Sequence, residues 1–246
     1  MEGAAHSART IIFASAPVLL VVKCACGPVI NPNRMSRILP LFPLKLVVYP
    51  DEELNLHIFE PRYKQLINEC EGKGITFGIP AFINDAVQPI GTEIELVAID
   101  RRYPNGEMDV RTKGIGLFKI LTFFKTLENR LYAAGEIEPL PVDRATDFTK
   151  NEQILYLLGE LYDILQIKKP LPQNTPGFHT FGIAHIAGFS LEQEYELLTI
   201  PLERDRQTYL LEQLERLLPM AREMEELRKK VQMNGHFKNI LPPKFQ

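Results

Sequence analysis

The hydrophobic period of this chain changes once, near Asp143, and that change constrains the fold more than any other feature. Before it, short segments rich in Ile, Val, Phe and Tyr stand at residues 38–49, 75–84, 92–103, 107–113, 115–126 and 130–140, separated by Gly, Pro and Asn. Apolar runs of this length between turn formers predict strands, and six in succession predict an antiparallel sheet curling into a β pseudo-barrel. After Asp143 the apolar residues recur at steps of three and four, the helical period. The class is therefore α+β: a β subdomain over 36–142, then a helical bundle over 143–234 and a short tail at 235–246.

Local signals refine this outline. Pro104-Asn105-Gly106 joins two strand-like runs, and Asn-Gly tolerates the positive φ angles of a two-residue hairpin turn. Pro40, Pro43 and Pro50 each lack a ladder donor, which predicts an edge or bulged strand there. Glu60-Pro61-Arg62-Tyr63 opens a helix that stops at Gly72, with proline at the first helical position and glycine just past the end. Tyr63, Leu66, Ile67 and Cys70 share the face of that helix which should pack on the sheet.

In the second half, Ile154, Leu155, Leu158, Leu161, Tyr162 and Leu165 predict a helix over 148–167, followed by the breakers Pro170, Pro172, Pro176 and Gly177. A further helix is expected from Thr175-Pro176 to Gly188. Ser190 with Gln193 forms a capping-box pattern for a third, ending near Pro201. The last helix, 202–233, is unusually long, and Pro219 should kink it. Leu210, Leu214, Leu217, Ala221, Met224 and Val231 form one apolar stripe along it, broken at Arg228. Its seven acidic and seven basic residues balance and read as a solvated face.

Residues 1–34 are of a different character. The apolar run at 11–22 is too short for a bilayer, which needs about 20 residues. Read as a secretion signal, it carries Lys23 where small neutral residues belong. Met35 opens the strand-like text, so 1–34 reads as an upstream extension that the functional protein need not contain. Of three cysteines, Cys24, Cys26 and Cys70, the body holds one, so no internal disulfide framework is available and a cytoplasmic setting is the simpler expectation, export being the alternative.

A net charge of −3, with 24% charged residues, offers no field for gathering nucleic acid or an anionic membrane. The patterns that carry chemistry are missing as well. There is no Gly-x-x-x-x-Gly-Lys-Ser/Thr loop, no His-Glu-x-x-His, no Cys-x-x-Cys and no Gly-x-Ser-x-Gly elbow. Cys24 and Cys26 are too close and too isolated for a zinc site, and His179 and His185, six apart, lie on different sides of a helix. No catalytic residue, metal ligand or cofactor is therefore assigned. Glu60 is the carboxylate to inspect first, and its ordinary role is a helix cap or a partner for Arg62.

The run from Leu39 to Tyr63, Leu-Pro-Leu-Phe-Pro-Leu-Lys-Leu-Val-Val-Tyr-Pro-Asp-Glu-Glu-Leu-Asn-Leu-His-Ile-Phe-Glu-Pro-Arg-Tyr, resembles the opening of the Lon protease N-terminal, substrate-binding domain family. The match continues through residues 72–80, Gly91-Thr92, the run around Gly114, residues 132–137, and Phe181-Gly-Ile-Ala-His-Ile-Ala-Gly-Phe-Ser190. Many relatives carry glycine where this chain has Asp51, and Asp also tolerates turns. The resemblance implies a PUA-like barrel followed by helices. It implies binding of unfolded or hydrophobic polypeptide without the ATPase and peptidase, so catalysis is not carried over. An adaptor role in protein quality control, beside a separate protease or chaperone, follows from the same source.

Within that resemblance Pro43, Phe59, Pro61 and Tyr63 are the candidate peptide-binding residues. Glu60, Arg62, Asn105, Gly106 and Gly114 are structural. An exposed edge near 40–50 offers backbone capture of an extended peptide as an alternative. An RNA-binding PUA-like module is the second reading, opposed by the balanced charge. A small-molecule enzyme is the third, and a deep pocket with converging polar groups would mark it.

Overall fold

The computed structural model describes residues 9–11, 36–175 and 177–237. The chain divides into two compact units, one of 1–143 with 190–201, the other of 144–189 with 202–246.

The first unit is a β-barrel with one helix inserted. Its strands are β1 (Arg9–Ile11), β2 (Arg37–Leu41), β3 (Glu53–Ile58), β4 (Phe77–Ile83), β5 (Ala86–Arg102), β6 (Met108–Phe124) and β7 (Ala133–Leu140). Their order is β1-β3-β6-β5-β4-β2-β7, and β7 also pairs with β6, so β2, β4, β5, β6 and β7 close a ring. Closure depends on the length of β6. Its first half, 108–113, pairs with β3, and its second half, 117–124, pairs with β7.

The sheet is mixed: β2 meets β4 in parallel, through Leu41 opposite Gly78 and a bridge from Leu44 to Ala81. The strand expected over 38–49 is therefore short. Beyond Leu41 the contact with β4 thins to separate bonds, from the Phe42 and Leu44 amides to the Gly78 and Pro80 carbonyls and from the Phe82 amide to the Leu44 carbonyl, Pro43 having no N–H to give. β2 lies between β4 and β7, so 40–50 is not the sheet edge it was expected to be. The edge is β3 and, outside it, β1, two strands the sequence reading passed over.

The segments expected at 107–113 and 115–126 form one strand. Gly114 between them is a point of close approach: a Cβ there would run into the Tyr49 carbonyl oxygen, while Gly114 N–H donates to Glu52 O and its carbonyl accepts from Asp51 N–H, both at 2.9 Å. Asp51 sits at φ 69°, the left-handed region that suits glycine or Asp. Two hairpins differ from expectation. Asn84-Asp85, both with positive φ, joins β4 to β5 as the two-residue turn. At 104–106 the loop has three residues: Tyr103 accepts from Gly106 N–H at 2.9 Å and only Gly106 takes positive φ.

Helix α1 (Pro61–Cys70) places Pro61 at its start, and Gly72 follows its end at φ +68°. Its face of Tyr63, Leu66, Ile67 and Cys70 packs into the barrel core with Phe42, Val48, Leu54, Leu56, Ile58 and Phe77. A second cluster, Leu39, Leu41, Phe118 and Ile137, fills the other part of the ring. Helix α3 (Leu191–Thr199) also belongs to this unit, although sequence order placed it in the helical half. Tyr49 donates its hydroxyl to Glu194 O at 2.9 Å, and the Tyr195 hydroxyl accepts from Ile90 N–H at 3.2 Å. The expected capping box of Ser190 and Gln193 forms at its start.

The second unit packs helix α2 (Phe148–Leu165) along α4 (Glu203–Phe237). Between 175 and 188 the expected helix is replaced by two single 3₁₀ turns, Thr180–Gly182 and Ala184–Ile186. Gly177, Gly182 and Gly188, the last at φ +73°, interrupt any longer helical run. α4 continues through Pro219. The single stripe expected along it becomes two faces. Leu210, Leu214, Leu218 and Ala221 are buried against α2, whereas Met224 and Val231 are exposed. The reason is geometric: a straight helix drifts about 20° per heptad, and α2 ends by Gln166, whose amide reaches Glu225 at 3.3 Å.

The charges of α4 are not all solvated. Glu203 and Arg206 are 0% and 1% exposed, paired at 2.8 Å, with the guanidinium 4.4 Å over the Phe181 ring. Among the described residues no helix is long and apolar enough to cross a membrane, and no group of three His, Cys, Asp or Glu is placed to hold a metal ion.

Candidate functional site

β3 alternates by face. Leu54, Leu56 and Ile58 point into the core, leaving Glu53, Asn55 and His57 outward. Opposite His57 on β6 lies Asp109, and the register brings their side chains to 2.7 Å through His57 Nδ1 and Asp109 Oδ1. His57 Nε2 is 3.3 Å from Glu107 Oε2, so both ring nitrogens face carboxylates.

Around this pair is an aromatic rim. The Phe59 ring is 6.3 Å from the His57 ring, Tyr103 meets His57 edge-on at 5.8 Å, and the Arg101 guanidinium lies 4.7 Å over Tyr103. Tyr103 donates its hydroxyl to Asp109 Oδ2 at 2.7 Å. The hydrogen bonds from His57, and then from Tyr103, hold the Asp109 carboxyl below the usual carboxylate range. The same bond raises the Tyr103 phenol.

The sequence-based candidates divide. Phe59 is half-buried and Pro61 exposed, at the junction of β3 and α1. Tyr63 is 5% exposed, with its ring stacked 3.6 Å from Phe42. Burial pushes its phenol up to about 12. Pro43 is half-buried in the loop after β2. Glu60 makes no side-chain cap, and accepts instead from Arg62 Nε at 2.8 Å while Arg62 covers the Tyr63 ring at 4.5 Å. Asn105 caps its own turn by accepting from Glu107 N–H at 3.1 Å.

His57, Tyr103 and Asp109 escaped sequence reading because nothing in their spacing pairs them. Only the β3–β6 register does so, and β3 was missed. The alternation of Leu54, Leu56 and Ile58 was the signal that could have found it.

Along its outer edge β3 carries β1 in parallel register, Arg9 opposite Leu54, Thr10 opposite Asn55 and Ile11 opposite Leu56. In the helical unit an open groove between α2 and α4 is lined by Thr149, Glu152, Gln153, Tyr156, Leu157, Leu211 and Glu215.

Comparisons with known proteins agree with this architecture. The family model described as the ATP-dependent protease La (LON) substrate-binding domain matches residues 38–216. Among solved structures, a Lon N-terminal domain protein from Xanthomonas campestris is similar at 24% identity and a TM-score of 0.56, over 71% of this chain and 97% of that one. The N-terminal domain of Mycobacterium avium complex Lon protease is similar at 13% identity and a TM-score of 0.50, over 73% of this chain and 98% of that one. No curated protein matches.

Proposed function

The chain belongs to the ATP-dependent protease La (LON) substrate-binding domain family, and from that premise we propose that it binds unfolded or hydrophobic polypeptide segments by adding them as a strand to the outer edge of β3. The observation that carries this reading is β1: a segment of the chain itself lies on that edge in parallel register. Strand addition draws affinity from backbone hydrogen bonds, which every client possesses, and selectivity from neighbouring side chains. A peptide continuing past Leu56 in the same register runs beside His57 towards the half-buried Phe59 and the exposed Pro61. Tyr63 stacks on Phe42 in the core behind the start of α1, and Pro43 is half-buried in the loop after β2. Delivery of the bound client to a separate protease or chaperone completes the reading as an adaptor in protein quality control.

Fluorescence anisotropy of a labelled, reduced and alkylated polypeptide tests the site. Phe59→Ser should weaken binding about tenfold, the scale of losing one aromatic anchor. Unchanged affinity in that variant removes Phe59 from the site. Equal retention of a labelled RNA oligonucleotide would favour the PUA-like nucleic-acid reading instead.

A further inference from the structure

Met220, Met224, Leu227 and Val231 of α4 are 60%, 69%, 55% and 69% exposed. Their steps of four, three and four are the a and d spacing of a heptad, and they lie about 110° around the helix from the Leu214, Leu218 and Ala221 face that packs on α2. We propose that this second stripe is a dimerisation seam, on which α4 of a second copy of the chain packs as a parallel two-stranded coiled coil.

The occupant follows from the stripe and its flanks. A period of 3.5 residues matches another helix, since an extended peptide would present every second residue. Taking Met220 and Leu227 as d and Met224 and Val231 as a, the C-terminal pair has Leu at d and Val at a, the combination that favours two parallel strands. Glu223 then stands at g and Arg228 at the following e, both exposed. In a parallel pair, g of one helix faces the next e of its partner, so Glu223 meets Arg228 of the second copy twice about the two-fold axis. The seam is therefore self-complementary in charge as well as apolar. Arg228 is 63% exposed, and among the described residues its ion pair is a 3.5 Å contact to Glu225, so it is available to the seam. From Met220 to Val231 the seam is about 18 Å long, short of a standard interface, so association should be weak and concentration-dependent.

Sedimentation velocity on the full chain, from about 1 to about 300 µM, spans the range in which a micromolar dimer is read. A shift from monomer to dimer with concentration is expected. Leu227→Asp/Val231→Asp should remain monomeric throughout while keeping the wild-type unfolding midpoint, because both side chains are exposed. Glu223→Arg should raise the dissociation constant about tenfold, and Glu223→Arg/Arg228→Glu should restore it. A wild-type chain monomeric at the highest concentration overturns the proposal, as does a dimer indifferent to the Asp variant or unrescued by the charge swap. These outcomes are independent of peptide binding at β3, which uses the other unit.

Discussion

Glu203 provides the sharpest test of how the helical unit is held together. Its carboxylate is fully buried at the first turn of α4 and accepts from Thr180 N–H at 2.8 Å, the Thr180 hydroxyl at 3.0 Å, and Arg206 at 2.9 and 2.8 Å. One side chain thus ties the 3₁₀ segment to the long helix. Glu203→Ala leaves the Arg206 charge buried without its carboxylate and removes the acceptor of a buried amide, a loss of about 3–5 kcal/mol. Glu203→Gln keeps an acceptor for Thr180 and should lose less, about 1.5–3 kcal/mol, the worth of a hydrogen bond to a charged group. In Glu203→Met/Arg206→Met no charge is stranded, so the double variant should be more stable than the sum of its singles implies. Urea unfolding followed by the far-UV helical signal measures all three. If Glu203→Ala falls within about 1 kcal/mol of wild type, the pair behaves as a solvated one and the reasoning fails.

Deleting the segment before Met35 removes β1 and should raise affinity for the unfolded polypeptide; lower affinity would mean that β1 helps to form the site rather than occupying it. Cys70 is buried, and its thiol is raised from 9.0 to about 11, first by burial and then by Glu69. In a Cys24→Ser/Cys26→Ser background it should resist thiol reagents near neutral pH until denaturant is added, and rapid native-state labelling would contradict this. Because its folded value lies above the unfolded one, the Cys70 contribution to stability is present below pH 9.0 and lost as pH rises towards about 11. Asp109 has the opposite sign: its folded value is lowered, so its contribution is present above the ordinary 3.8 and lost as pH falls through the depressed value. Asp109→Asn should flatten that acid limb of an unfolding curve, and an unaltered limb would exclude Asp109 as its source.

The parts of the fold that were legible in the sequence rest on local physics. Pro61 and Gly72 mark the ends of α1 because a missing N–H and a positive φ are properties of single residues. Ser190 and Gln193 mark α3 for a similar reason. What was not legible depends on partners distant in sequence. The α3 capping box says where the helix starts, but not that Tyr49 and Ile90 hold it to the barrel unit. Balanced charge along α4 says nothing of Glu203 lying under Thr180. At the candidate site, Phe59 is a candidate through the family-like block alone, whereas His57 and Asp109 are 52 residues apart and meet only in the β3–β6 register. Asn84-Asp85 lacks the glycine that makes a hairpin turn conspicuous, whereas at Asn105-Gly106, which has it, Pro104 precedes the pair and a three-residue loop forms.

Ring closure explains why the candidate edge is β3. Every strand of the ring has neighbours on both sides, and β6 is long enough to serve β7 with one half and β3 with the other. β3 is thus displaced outside the closed path. Bare edges invite uncontrolled pairing, and short length with polar outward residues limits it. β3 has both: six residues, with Glu53, Asn55 and His57 facing out. Those side chains leave its backbone groups as the main attraction, and a strand of a client needs little more than its own amides to use them. A site built in this way tolerates many sequences provided that they are extended, and folded proteins, whose amides are already paired, offer it little. On the proposed reading, the Phe59 and Tyr103 rim would favour clients that carry an apolar side chain a few residues along, which is how unfolded segments differ from merely solvated ones.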